Sequence, residues 1–119
     1  MEIKKFLVNE EEYEFVNSYR NTRSGFAHDT TLFINGVENA KNTCHYLNRT
    51  WELYTYQTVM LGAMRQLIND RRIRLERKYK ADKGFSRLTD KRRLELENIF
   101  NADNVLNEYE EVIKILNKY

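Results

Sequence analysis

The hydrophobic pattern changes period once along the chain, near residue 48. Ahead of that point apolar residues recur at every second position. Ile3 to Val8 is a short β-prone run, closed by the acidic turn Asn9-Glu10-Glu11-Glu12. Tyr13, Phe15 and Tyr19 then fall on alternate positions, which suits one face of a strand. Asn21-Thr22-Arg23-Ser24-Gly25 gathers turn formers. The sharpest local signal is Asn35-Gly36, set between Thr30-Thr31-Leu32-Phe33-Ile34 and Val37. Both turn residues tolerate positive φ, and the resulting type I′ turn matches strand twist. Residues 1–48 therefore read as an antiparallel meander of three to four strands.

The hairpin carries a register with it. Ile34 opposite Val37 puts Phe33 against Glu38, Thr31 against Ala40 and Ala27 against Cys44. One face then holds Ala27, Thr31, Phe33, Ala40, Cys44 and Tyr46. The other holds Phe26, His28, Thr30, Leu32, Ile34, Val37, Lys41, Thr43 and His45. The face with Ala27, Ala40 and Cys44 is the expected helix-covered one, since small side chains let a helix approach.

From Thr50 the period becomes 3.6. Asn48 or Thr50 suits a helix N-cap, and Glu52 in the first turn suits the helix dipole. Tyr54, Leu61, Ile68 and Leu75 recur at sevens, and Val59 to Met64 is apolar almost all round, the mark of a helix lying across the sheet. Gly62 in its middle points to close backbone approach, and Trp51 to burial at the helix start. Gly84 supplies a stop. A helix from Thr50 to Lys83 is about 50 Å long, more than a compact domain of this size spans, so its far end projects, bends or is covered. Thr89-Asp90 opens a further segment, weak at Asn101-Ala102-Asp103-Asn104. Val105, Tyr109, Val112, Leu116 and Tyr119 follow as a seam that calls for another helix. The reading is α+β: one domain over 1–119, with a sheet part at 1–48 and a helical part at 49–119 made of a long helix and a C-terminal helical hairpin.

Composition and charge then narrow the function classes. Hydrophobic residues make up 41% of the 119, enough for a modest core, and the net charge of +2 excludes both a wholesale acidic mimic of DNA and a uniformly basic coat. The balance hides a polar molecule. Residues 71–93 hold Arg71, Arg72, Arg74, Arg77, Lys78, Lys80, Lys83, Arg87, Lys91, Arg92 and Arg93 against only Glu76, Asp82 and Asp90, a surplus of eight. The rest of the chain therefore carries a deficit of six. A basic hairpin tip attracts phosphate by counterion release and steers encounter with acidic surfaces. Three readings stay open: a solvated helix face, a contact with RNA or DNA phosphate, and a contact with an acidic protein. Tyr79 and Phe85 interleave the run and suit either base stacking or interhelical packing.

Other chemistry is sparse. His28 and His45 share a face in the register above, with Cys44 on the opposite one, and two histidines make no zinc site. Asp29 beside His28 lacks a nucleophile placed by spacing. The four glycines are isolated, so there is no phosphate-cradling loop. Neither a cofactor nor a metal is expected, and an enzyme is not. No apolar run approaches the roughly 18 residues of a membrane span, no signal-like segment follows Met1, and a lone Cys44 suits the cytoplasm.

Asn21-Thr22-Arg23-Ser24-Gly25-Phe26-Ala27-His28, Tyr46-Leu47-Asn48-Arg49-Thr50-Trp51-Glu52 and Tyr54-Thr55-Tyr56-Gln57-Thr58-Val59-Met60 resemble small proteins of phages and mobile elements in Gram-positive bacteria. The resemblance spans roughly residues 13–68 and carries over no catalytic residues. It implies action by binding a host machine, and anti-CRISPR proteins are similar in size and in lacking an enzymatic signature. The implied function is a phage-borne inhibitor of a host defence complex, foremost a CRISPR effector nuclease or another ribonucleoprotein. The alternatives are a nucleic-acid-binding accessory protein and an interaction protein that forms a homodimer through its C-terminal helix.

Overall fold

The structure is a computed structural model that describes residues 1–47, 56–84 and 87–118. The period-two half forms four strands: β1 (Glu2–Val8), β2 (Glu11–Asn21), β3 (Gly25–Ile34) and β4 (Val37–Leu47). They pair antiparallel in chain order, as a meander. The helical half holds α1 (Tyr56–Lys83), α2 (Asp90–Ala102) and α3 (Asn104–Leu116). The fold is α+β, as the change of period implies. The expected cap at Asn48 or Thr50, Glu52 and the Trp51 burial site lie outside the described residues.

Asn35 and Gly36 both take positive φ, at 51° and 79°, and close the β3–β4 hairpin. Asn35 also ties it to the next strand: its side-chain oxygen accepts from the Glu12 backbone N–H at 2.8 Å. The β1–β2 turn is tighter than the four-residue acidic turn suggested. Asn9 and Glu10 alone make it, at φ 50° and 69°, and Glu11 and Glu12 are already strand. Glutamate rarely adopts the left-handed region, so sequence gave no cue for so short a turn.

The β3–β4 register departs from expectation two residues from the turn. Ile34 faces Val37 and Phe33 faces Glu38, but the ladder then shifts, so Leu32 faces Ala40, His28 faces Cys44 and Ala27 faces His45. Asn39 is the extra residue, and its side chain donates back to the Val37 carbonyl at 2.8 Å. One inserted residue moves every later β4 side chain to the other face. The covered face therefore combines Ala40, Asn42 and Cys44 with Thr30 and Leu32, not with Ala27 and Thr31. The reasoning from small residues holds for β4 and fails for β3.

That face carries Tyr13, Phe15, Leu32 and the amide of Asn17, all fully buried beneath Val59, Met60, Ala63 and Met64 of α1. Gly62 sits where α1 meets β4. The Asn42 amide donates to the Val59 carbonyl at 2.9 Å and accepts from Gln66 at 3.0 Å, so one strand side chain clasps two turns of helix. A Cβ on Gly62 would overlap the Asn42 side-chain nitrogen.

Further along, α1 leaves the sheet. Tyr79, Leu96, Phe100 and Leu106 form a second apolar cluster with Ile68 and Leu75 beside it. Gly84 stops α1 at φ 72°, and Thr89 caps α2 by accepting from the Arg92 N–H. The weak point at residues 101–104 is a true break. Asp103 leaves the helical region and its side chain accepts from the Leu106 N–H at 2.9 Å, starting α3. α3 returns to the sheet, where Val112 and Leu116 are fully buried in the first cluster. Of the seam expected to call for another helix, Val112 and Leu116 are covered within the chain, Val105 and Tyr109 are half-buried, and Tyr119 lies outside the described residues. The radius of gyration, 17.2 Å, exceeds the about 13–14 Å of a compact chain of this length, because the α1–α2 arm projects.

One ionisable contact joins α3 to the sheet. Tyr13, buried, donates to Glu108 at 2.5 Å, and Glu108 is itself 7% exposed. Burial and the neighbouring Glu108 carboxylate hold the Glu11 carboxyl above its ordinary value.

Two outcomes follow from this packing. Gly62→Leu should destabilise by about 1–3 kcal/mol in urea denaturation, and the loss should shrink in an Asn42→Ala background, where the blocking amide is gone. The folded state binds the Glu11 proton more tightly than the unfolded chain, so that stability is full below the unfolded value of 4.5 and lost as pH rises through the folded one. Glu11→Gln should therefore stabilise the protein at about pH 8 and change little at about pH 4. A difference that does not vary with pH would show that the folded state does not raise the Glu11 carboxyl.

Candidate nucleic-acid interface

The eleven basic residues do not form one uniform surface. α1 delivers seven of them and the loop and α2 the other four, running from Arg71 and Arg74, which share a pocket with Asn39 of β4, out along the arm. The structure sorts them by what each side chain touches.

Four are engaged. Arg71 reaches the α2–α3 elbow, its Nη2 donating to Asp103 at 2.8 Å. Asp103 is only 11% exposed at its side chain. The hydrogen bond from Arg71 leads the effects that hold the Asp103 carboxyl below its ordinary value and raise the guanidinium. Arg72 lies over the Phe100 ring at 5.2 Å, a cation–π contact that also shields the tip cluster. Lys80 pairs with Glu76 one turn back at 3.5 Å. Arg92 is half-buried at the α1–α2 seam.

Arg72 is itself exposed, and seven others are exposed without an ion pair or ring contact among the described residues: Arg74, Arg77, Lys78, Lys83, Arg87, Lys91 and Arg93. Arg74, Arg77 and Lys78 fall at i, i+3 and i+4, on one side of α1. The three local acids cannot neutralise this set, since Glu76 is held by Lys80. The sequence run thus divides into inner residues that brace the arm and outer ones that charge it.

The interleaved aromatics divide as well. Tyr79 is 7% exposed and its hydroxyl donates to Glu95 of α2 at 2.5 Å, so it packs between the helices and offers no face to a base. Phe85 lies outside the described residues. Beside Tyr79 runs a groove of about 590 Å³, floored by Leu75, Tyr79 and Ile99 and edged by Lys78 and Lys83.

Elsewhere the register shift rearranges the minor candidates. His28 faces α1 with its ring 4.8 Å from Tyr56, whereas His45 turns to the outer face, so the two histidines expected to share a side are on opposite sides of the sheet. Cys44, expected opposite His28, is its cross-strand partner instead. Asp29 lies on the outer face and is held by Arg20 Nε at 2.9 Å and by the Thr43 hydroxyl at 2.6 Å. His28 and Asp29 are therefore separated by the sheet. Among the described residues no three His, Cys, Asp or Glu side chains are grouped to hold a metal ion, and no helix is long and apolar enough to cross a membrane.

No protein-family model matches the chain, and no curated protein and no solved structure shows significant similarity to it.

That geometry ranks substitutions. Asp103→Ala removes the α3 N-cap and the Arg71 partner together and should cost about 1–3 kcal/mol. Asp103→Asn keeps a capping oxygen and should cost less. Arg74→Glu and Lys78→Glu should stay within about 0.5 kcal/mol of the parent. Thermal melts of the four variants check the ranking, and a costly Lys78→Glu would make the outer charges structural.

Proposed function

We propose that this chain is a non-catalytic binding protein whose working surface is the charged end of the α1–α2 arm. Its partner is a host complex that carries nucleic acid, as a CRISPR effector nuclease does. One observation carries the reading. Seven exposed basic side chains with no ion-pair partner among the described residues stand along an arm that a second apolar cluster and the Arg71–Asp103 pair brace.

Exposed like charges repel one another and add nothing to folding, so a fold that concentrates them gains from it only when an anion arrives. The sheet end is the complementary pole, with Glu10, Glu11, Glu12 and Glu14 on or beside β2 and Glu108, Glu110 and Glu111 on α3. A molecule with such a dipole turns its tip toward phosphate before contact, which raises the rate of encounter and opposes the reverse docking. Effector nucleases hold guide and target strands in basic channels, and phosphate left exposed there is the ligand this tip would meet. The resemblance to small phage proteins favours a defence complex as the host machine, and the phage origin and inhibitory role belong to this proposal.

The test is a cleavage assay with guide-loaded effector nucleases and purified protein. The parent should slow cleavage and co-elute with the complex, while the Arg74→Glu/Lys78→Glu variant, folded by its melt, should do neither. Cleavage unaffected by the parent across several effector types would exclude inhibition. Inhibition by the charge-reversed variant would place the working surface elsewhere on the molecule.

A further inference from the structure

From the arm we infer the form of nucleic acid it takes: a double-stranded segment, gripped through its two phosphate rows without reading base sequence. This rests on the proposed role of the arm and specifies its ligand.

Three features of the tip lead there. The first is the fate of the aromatic side chains. Binding of single strands without sequence preference relies on exposed aromatic rings on which bases stack. Here Tyr79 is buried with its hydroxyl held by Glu95, and Phe100 is buried beneath Arg72. The described part of the tip presents cations to a ligand and no stacking platform.

The second feature is shape. A single strand is bound in a groove whose walls follow its backbone. Arg77, Arg87, Lys91 and Arg93 are exposed and line neither of two grooves on the arm. The groove edged by Lys78 and Lys83 is floored by apolar side chains and has Asp82 and Glu95 among its lining residues, and the smaller pocket that Arg71 and Arg74 line also holds Asp70; these carboxylates repel phosphate. Phosphates therefore meet the outer cations on the helix surfaces rather than in a groove, and a stiff double helix supplies them in ordered rows to such a surface.

The third is width. Two helices packed side by side, with axes about 8–10 Å apart and each about 10 Å across, span roughly 20 Å. The major groove of B-form DNA is about 12 Å wide. Both helices cannot enter it together, so a contact that uses the cations of α1 and of α2 at once bridges the groove and meets the backbones on either side. The bracing of the arm fits this task. Arg71 holds Asp103 and Arg72 lies over Phe100, contacts that fix α1 against α2 and so fix the backbone positions from which the outer cations extend.

The experiment is fluorescence anisotropy of the full chain with four labelled probes of equal length: a random-sequence DNA duplex, a second duplex of unrelated sequence, an RNA duplex and single-stranded oligo-dT. The two DNA duplexes should bind alike, and at least one duplex form should bind about tenfold or more tighter than oligo-dT. The DNA and RNA arms decide which helix form is preferred. Affinity should fall linearly in a log–log plot against salt, with a slope of about −0.9 per phosphate contacted. Arg77→Glu and Arg93→Glu should each lessen that slope by about one and weaken both DNA duplexes equally. Tighter binding to oligo-dT, a clear preference between the two DNA duplexes, or loss of duplex binding in Phe85→Ala would overturn the inference. No binding to any probe would overturn it too. If the same charge reversals still abolish effector inhibition in that case, the arm works on protein-held anions and the broader proposal survives alone.

Discussion

The structure depends on α1 being one unbroken helix that serves two apolar clusters. Its first turns lie on the sheet, where Met60 and Met64 meet Phe15 and Leu32. Its last turns carry Tyr79 and Leu75 to α2. A helix of 28 residues is about 42 Å long, so the two clusters cannot merge and the molecule must be elongated. The measured extent of 49 Å along its long axis follows from that length. Placing cations at the far end keeps them away from the acidic strands and clear of the main core.

Two polar joints keep the long helix in place. At the sheet, Asn42 reaches the backbone of α1 because Gly62 leaves room for its amide. At the elbow, Asp103 caps α3 and holds Arg71, so one carboxylate sets both the direction of the returning helix and the angle of the arm. The two joints differ in kind. The first is a steric fit with a neutral amide in the gap, and the second is a partly buried ion pair that salt screens only weakly. The Tyr13–Glu108 contact adds a third tie, between α3 and β2, and burial with the neighbouring Glu108 raises the Glu11 carboxyl beside it.

Local chemistry determined much of this molecule. The change of period near residue 48, the Asn35-Gly36 turn, the Gly84 stop, the Thr89 cap and the weak point at Asp103 are all effects of a few neighbouring residues, and each is legible in sequence. So is the charge asymmetry, which needs only counting. The tertiary structure decided the rest, because those features depend on contacts distant in the chain. Both faces of the β3–β4 hairpin mix apolar and polar residues, so period two could not choose between them. A single extra residue at Asn39 then exchanged the β4 faces, carrying Cys44 to the side of His28 and His45 away from it. The basic run reads as one patch along the chain. Asp103, brought close by the α2–α3 break, withdrew Arg71 from it, and Phe100 withdrew Arg72. Tyr79 looked able to stack on a base until Glu95 of the next helix accepted its proton donor. Helical spacing places side chains around an axis, but only the packed neighbours determine which of them remain free to meet a ligand.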